Sequence, residues 1–170
     1  MRFVILHYHI LKNAGTTIEE GLDRSFGHRL ARLDQAQRDA TIGAAELLSF
    51  VEARPQLAAV TSHQIRYPLP EAPGLMFFDI CFLRDPIDRV RSLYDYYRDK
   101  PDPGDPVSDV ANTSDLGGFV RGMVREQALQ VRNDLTCITV VGLSGRYSIV
   151  GALDRDVSTA NLAIIPCGND

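Results

Sequence analysis

The chain contains 170 residues, of which 45% are hydrophobic, and carries a formal net charge of −4 at pH 7. This length suits one domain with a sizeable core, and the hydrophobic content argues against wholesale disorder. Because duplex binding usually needs a broad basic stripe, the acidic balance argues against a nucleic-acid partner, whereas a small anion needs only a few local cations.

The first part of the chain is predicted to form a strand, a turn and two helices. Phe3–Ile10 is short and rich in β-branched and aromatic residues, which is typical of a buried strand. Thr16 can cap a helix that runs to about Phe26 with one apolar stripe. Residues 27–43 show little periodicity and indicate a connection with a short helical piece, and Ala44–Ala53 indicates a second helix.

Two further strands are predicted in the middle of the chain. Leu57–Thr61 indicates a short strand, and Leu75–Leu83 is the most apolar strand of the chain, with Asp79 as its only charge. The proline-rich segment Tyr67–Gly74 between them predicts a loop.

A well-signalled helix follows the third strand. Asp85 suits the N-cap and Pro86 the first helical position, and the helix is expected to end near Arg98. A Pro/Asp-rich stretch comes next, so residues 99–114 are predicted to be a loop.

In the last third of the chain, two helices are predicted on either side of a segment whose pattern is ambiguous. Ser114 or Asp115 can cap a helix over about Leu116 to Leu129, and Asn133–Leu143 fits either a helix or a strand. Ala152–Ile165 is predicted to be a last helix.

The cysteines and the N-terminus indicate a compartment. Cys81, Cys137 and Cys167 are widely spaced and form no CxxC pair or metal-ligand pattern, so reduced thiols are expected. His7 and His9 interrupt the short apolar N-terminal run, which is unlike a signal peptide. No apolar stretch approaches the roughly 20 residues of a membrane span. The sequence therefore predicts a cytoplasmic protein.

Strands alternating with helices predict an α/β fold with a mainly parallel sheet. Three polar segments, residues 12–17, 62–64 and 84–85, each follow a predicted strand. Because ligands bind beyond the carboxyl ends of strands in such sheets, these segments are expected to gather at one functional edge.

The segment Lys12–Thr17 has the features of an anion-binding turn. Gly15 lets the backbone approach a ligand oxygen, the threonines add hydroxyl and N–H groups at a helix start, and Lys12 adds a mobile charge. An ordinary strand–helix turn is the alternative. The lysine precedes the glycine, unlike the GxxxxGK[ST] loop, which argues against an ATPase or GTPase.

Two other strand exits carry candidate side chains. Arg84 could grip a phosphate with two hydrogen bonds, although a capped helix with surface ion pairs explains the same segment. His63 could remove a proton from an acceptor hydroxyl near pH 7, although a single histidine is more often structural. Asp79 could reach the site or close a buried hydrogen bond.

Taken together, two of these segments resemble the sulfotransferase superfamily, most closely the carbohydrate-type branch with heparan-sulfate 2-O-sulfotransferase and its bacterial relatives. HILKNAGTT at His9–Thr17 is similar to that family's 5′-phosphosulfate loop, H-I-P-K-T-x-G-T-S. LRDPIDRVRSLY at Leu83–Tyr94 is similar to its 3′-phosphate segment, L-R-D-P-x-x-R-x-x-S-x-Y.

The resemblance implies a P-loop-like three-layer fold with helices flanking the sheet, and the donor 3′-phosphoadenosine-5′-phosphosulfate (PAPS), with no metal. It implies a single sulfotransferase-like domain over residues 1–170, incomplete at its C-terminal end. The donor would be held by residues of both motifs: Lys12, Asn13, Ala14, Gly15, Thr16 and Thr17 at its 5′ end, and Arg84 and Ser92 at its 3′-phosphate. Lys12 would stabilise the leaving group, and His63 would be the catalytic base.

The sequence does not identify the acceptor, for which a hydroxyl of a carbohydrate or small metabolite is expected. Leu11 and Asn13 depart from the loop pattern, and Cys137 stands where relatives often carry arginine, which leaves the role of Asn133 open. Two alternatives remain: a P-loop nucleotide kinase or NTPase, with Asp79 or Asp85 as its magnesium carboxylate, and a non-catalytic remnant that binds the desulfated nucleotide PAP.

Overall fold

The structure, a computed structural model, describes residues 1–37, 40–66, 68–125, 147–153 and 160–166. Its strands are β1 (Arg2–Tyr8), β2 (Leu30–Arg32), β3 (Ala59–Ser62), β4 (Leu75–Arg84), β5 (Tyr147–Leu153) and β6 (Ala160–Pro166). Its α-helices are α1 (Gly15–Phe26), α2 (Ala44–Glu52), α3 (Pro86–Asp99), α4 (Pro106–Thr113) and α5 (Leu116–Arg125), and a 3₁₀ turn spans Gly27–Arg29.

The strands of the described residues form one sheet in the order β2-β3-β1-β4-β5-β6. The first five strands of that order run parallel to their neighbours, and β6 runs antiparallel to β5. This arrangement confirms the predicted α/β fold with a mainly parallel sheet. Because β1 lies between β3 and β4, the three strands that precede the predicted polar segments are neighbours.

Helices α1 and α2 pack on opposite faces of the sheet. Leu47 of α2 belongs to a buried cluster with Val4 and Leu6 of β1. Leu22 of α1 belongs to a second cluster, against which Ile5 packs. Successive side chains of a strand point to opposite faces, so these alternating partners place the two helices on different sides. The predicted apolar stripe of α1 is confirmed, since Ile18 and Phe26 also pack there.

Helices α3, α4 and α5 share a third buried cluster. Each helix contributes two buried side chains to it: Leu93, Tyr97, Val107, Ala111, Phe119 and Met123. Helix α3 begins as predicted, because the Asp85 carboxylate accepts hydrogen bonds from the amides of Ile87 and Asp88, with Pro86 at the first position. No helix among the described residues is long and apolar enough to cross a membrane.

Two predictions for the first helix and its connection were wrong. Thr16 does not cap α1: the N-cap is Ala14, in the left-handed region with φ 57°, and no side chain caps the helix. The connection at 27–43 contains a short helical piece as predicted, the 3₁₀ turn Gly27–Arg29, but the prediction missed β2, whose three residues pair with Ala59, Val60 and Thr61 of β3. A strand this short has too few residues to show a period, so only its pairing partner reveals it.

Two later predictions were also wrong. The segment 99–114 contains α4, whose Asp105 caps it and whose first residue is Pro106. The predicted helix over Ala152–Ile165 is replaced by the end of β5 and by β6, which pair through contacts such as Val150 with Ala163. Pairing with a neighbouring strand here overrides the helical pattern of the local sequence. The segment Asn133–Leu143, Leu129 and two cysteines lie outside the described residues.

Candidate functional site

The loops that follow β1 and β4 lie side by side at the carboxyl ends of the strands. From β1 the chain goes to β2 on one side of the sheet, and from β4 it goes to β5 on the other. Strand order therefore diverges between β1 and β4, which is where open α/β sheets bind ligands. The predicted anion-binding turn and Arg84 occupy this point.

Three cations gather there, and two of them lie over the same aromatic ring. The Arg84 Nη1 atom lies 3.5 Å from the Lys12 carbonyl oxygen. The Lys12 ammonium lies 4.5 Å from the centre of the Tyr96 ring, and the Lys100 ammonium lies 5.8 Å from the same centre. Partial burial lowers the pKa of Lys12, and the positive charges of Arg84 and Lys100 lower it further.

Within the part of the chain that the structure describes, no carboxylate is paired with these cations. Arg24 and Arg32 form ion pairs with glutamates of α1, and none of the ion pairs among the described residues involves Lys12, Arg84 or Lys100. Like charges held together without a carboxylate repel one another, and an anion placed between them would relieve that repulsion. The arrangement is therefore suited to a small anionic ligand.

The loop between β1 and α1 is held in a costly conformation. Lys12 has φ 64° and Ala14 has φ 57°, in the left-handed region that side chains with a Cβ rarely adopt. Two contacts hold the loop: the Asn13 amide donates to the Phe82 carbonyl at 2.8 Å, and the buried Arg89 donates from Nε to the Leu11 carbonyl at 3.0 Å. Such strain persists only where surrounding contacts determine it, and it is common at ligand sites.

The start of α1 offers main-chain donors beside the cations. Thr16 and Thr17 are exposed, and the first turn contains no acidic residue. The first N–H groups of a helix have no partner within it and carry a partial positive charge, which favours an anion. Asn13 differs from its neighbours, because its side chain is buried against β4, so only its main chain faces the loop.

Gly15 is required by a neighbouring side chain. A Cβ built on Gly15 would lie 1.9 Å from the Cδ2 atom of His9, far inside van der Waals contact. From the sequence, this glycine was predicted to allow close approach of a ligand to the main chain. The structure supplies a second reason, since the His9 ring fills the space that any larger residue would need.

The same ring meets the candidate base. His63 is exposed at the end of β3, and its ring centre lies 4.1 Å from that of His9. The Asp34 carboxylate accepts hydrogen bonds from the His63 main-chain amide at 2.8 Å and from the Ser62 hydroxyl at 3.0 Å. The structure therefore joins His63 to the anion-binding turn through His9 and Gly15.

Burial favours the neutral form of His7 and His9, the two histidines that lie next to His63 in the stack of rings. Burial lowers the pKa of His7 to about 3, reinforced by His9 and His63, and its Nδ1 lies 2.9 Å from the Thr61 hydroxyl. Burial also lowers the pKa of His9, together with the charges of His63 and Arg32, while the carboxylates of Glu19 and Asp34 act in the opposite direction.

One face of α3 lines the turn. Ser92 is half-buried and lies three residues after Arg89 and four before Tyr96, so all three share that face. Sequence analysis predicts Ser92 as a site residue but does not predict Tyr96 or Lys100. Helical spacing from Ser92 could have found both, because each follows the previous one by four positions. No local pattern singled out Asp34.

Asp79 lies away from this site. It is fully buried in β4 on the same side as Phe77 and Cys81, and neither carboxylate oxygen has a hydrogen-bond partner among the described residues. Burial raises its pKa to about 7, and burial with the charge of Asp79 raises the pKa of Cys81 to about 12. In the described part of the chain, no group of three or more His, Cys, Asp or Glu residues is placed to hold a metal ion.

Comparison with known proteins gives one similarity. No protein-family profile matches the chain, and no solved structure matches it significantly. The chain is similar to an uncharacterized protein of Archaeoglobus fulgidus, with 29% identity over 137 residues. The match covers 78% of this chain and 54% of the archaeal protein, so the chain spans about half the length of that relative.

Proposed function

We propose that the protein is a PAPS-dependent sulfotransferase that acts on a hydroxyl of a carbohydrate or small metabolite. The observation that carries the proposal is the contact between Lys12 and Arg84, where β1 and β4 diverge, with no carboxylate paired to either among the described residues. The motifs at His9–Thr17 and Leu83–Tyr94, which resemble the two donor-binding segments of sulfotransferases, supply the identity of the anion.

The residues present suit a nucleotide with two anionic ends. Lys12 and the first N–H groups of α1 would hold the 5′ end, while Arg84 and Ser92 would hold the 3′-phosphate. Asn13 and Ala14 would contribute through the main chain, and Thr16 and Thr17 through main chain and hydroxyl. The strand–loop–helix unit of β1 and α1 is the unit on which a P-loop-like fold is built, and we include that fold in the proposal.

The chemistry needs little from the protein beyond position and charge. PAPS supplies an activated sulfuryl group, so that one S–O bond forms to the acceptor oxygen as the S–O bond to the phosphate breaks. Lys12 stabilises negative charge at the leaving phosphate. His63 accepts the proton of the acceptor hydroxyl. As in phosphoryl transfer, holding the reacting groups in line provides much of the rate.

Donor binding tests the first part of the proposal. PAP affinity, measured by isothermal titration calorimetry, should fall in Arg84→Ala, and both Arg84→Ala and Lys12→Ala should abolish transfer from PAPS. Arg91→Ala, at an exposed arginine of α3, the helix that follows Arg84, is the matched control and should bind PAP like the wild type. A wild-type chain that does not bind PAP, or that prefers ATP with magnesium, would refute the proposal.

The base is tested separately. His63→Ala should retain PAP affinity but lose about 100-fold or more in kcat, the usual contribution of a positioned general base. Turnover close to the wild type would remove His63 from the mechanism. PAP binding by the wild type without transfer to any hydroxylated acceptor would instead support a non-catalytic remnant.

The positions of Asp79 and Asp85 do not favour the alternative of a nucleotide kinase. Such an enzyme needs a carboxylate for magnesium near the phosphates. Asp85 is engaged as the N-cap of α3, and Asp79 is buried within β4, five residues before Arg84 at the strand end. Because one carboxylate is engaged in the helix cap and the other is buried, neither favours a magnesium site beside Lys12.

A further inference from the structure

His9 contacts two groups to which the proposed function gives different tasks. One edge of its ring lies against Gly15, the first residue of the helix whose N–H groups would hold the donor. Its face lies on the ring of His63, the candidate base, with 4.1 Å between centres and 31° between planes. His9 is thus the physical connection between donor and base.

The position of His9 is determined by several contacts. Its main-chain amide donates to the Ser62 carbonyl at 2.9 Å, which ties it to β3 beside His63. Its Nδ1 lies 3.8 Å from the Glu19 carboxylate of α1, and Glu19 also pairs with Arg32 of β2. The His9 side chain is only 14% exposed, so it has little freedom to turn away.

The His9 ring contacts the face of the His63 ring, which leaves the edge of the His63 ring available for proton transfer. The nitrogen atoms of an imidazole lie at the ring edge, so a face contact fixes the plane of the ring without occupying the atoms that accept a proton. A base works only within hydrogen-bond reach of the hydroxyl it serves, and its orientation therefore contributes to the rate.

We propose that His9 is a positioning residue that holds the His63 ring at a fixed orientation relative to the first turn of α1. The proposal rests on the proposed function, because it assigns His9 a role through His63. His9 does not itself take the proton. It places the acceptor-side base beside the donor-side helix, so that the two substrates meet in line.

Kinetics of His9 variants test the role. His9→Ala should lower kcat about 10- to 100-fold while leaving PAP affinity and the donor KM within about twofold of the wild type, since misplacement of a base affects the chemical step. His9→Phe, which keeps an aromatic face, should recover most of the lost kcat. His28→Ala, at an exposed histidine beyond α1, is the control and should change neither quantity.

Nuclear magnetic resonance tests the stack without any ligand. The ring-proton signals of His63 should shift in His9→Ala, because they lose the ring current of the neighbouring imidazole. Unchanged His63 signals, an unchanged kcat in His9→Ala, or equal losses in the Ala and Phe variants would each overturn the positioning role. Failure of the wild type to bind PAP would overturn the proposed function, while the signals of His63 would still report whether the stack exists.

Discussion

At the scale of single residues, Gly15 shows that a neighbouring side chain, and not only a ligand, can require a glycine at a given position. Alanine within a helix is normally more stable than glycine by about 1 kcal/mol. At Gly15, however, the added methyl group would collide with the His9 ring. Crowding of a packed site typically costs about 1–3 kcal/mol and should outweigh the gain in helix propensity.

We therefore expect Gly15→Ala to lower the free energy of unfolding by about 1–2 kcal/mol, measured by urea denaturation. Gly21→Ala in the same helix meets nothing within 4 Å and should be neutral or stabilising. The collision with His9 predicts coupling: Gly15→Ala should cost less in a His9→Ala background. Equal costs in both backgrounds would show that His9 is not the reason for the glycine.

Asp79 gives a second prediction at this scale. Its pKa is raised from 3.8 to about 7 in the folded protein by burial. Well below pH 3.8 the carboxyl is protonated in both states, so it adds no pH dependence to the free energy of unfolding. As the pH rises to about 7 the unfolded chain gives up its proton and the folded chain keeps it, so the free energy of unfolding falls, by at most about 4 kcal/mol.

Asp79→Asn removes this titration. Its stabilisation relative to the wild type should therefore grow between pH 4 and pH 7 and then level off, as measured by denaturation at each pH. Asp23→Asn, at an exposed carboxylate of α1, is the control and should show no such trend. A difference independent of pH would mean that the pKa of Asp79 is not raised in the folded protein, and a difference that kept growing well above pH 7 would mean that the folded carboxyl stays neutral beyond that pH.

At the scale of elements, α3 and α4 begin with the same signal, an aspartate followed by proline. Asp85 is exposed and caps α3 through two amides. Asp105 is buried, caps α4 through the amides of Val107 and Ser108, and also accepts from the Tyr97 hydroxyl at 3.3 Å. The second cap therefore joins two helices as well as starting one.

We expect Asp105→Ala to cost about 2 kcal/mol of unfolding free energy, and Asp85→Ala about 1 kcal/mol, both measured by thermal or urea denaturation. The larger cost follows because the first change also removes a buried contact between α3 and α4. If the exposed cap proved the more costly, the contact with Tyr97 would contribute nothing measurable.

At the scale of the whole molecule, the net charge of −4 contrasts with a local group of three cations. Because Lys12 is only partly buried and Lys100 is exposed, added salt should screen this group. The affinity for PAP should therefore fall several-fold between 50 and 300 mM potassium chloride, measured by calorimetry. Lys100→Gln should weaken binding and reduce that salt dependence, whereas Arg98→Gln, whose cation lies over Tyr94, should leave both unchanged.

Prediction from sequence succeeded where local signals agreed with packing. The strand β4, the start of α3 at Asp85 and the apolar stripe of α1 each carry a pattern that the folded protein uses directly. Prediction failed for α4, although Asp105 and Pro106 repeat the signal read correctly at Asp85. The prolines and glycine before it are typical of a loop, and this composition masks the cap signal when only the local sequence is considered.

Periodicity, caps and functional groups are local properties, so they were enough to predict the alternation of strands and helices and to select Lys12, Arg84 and His63. Contacts in the folded chain were needed to show that β6 is a strand, that Lys100 and Tyr96 join Lys12, and that His9 lies between Gly15 and His63. These facts depend on contacts between residues far apart in the chain. The order and register of the strands, which no short segment encodes, bring those residues together.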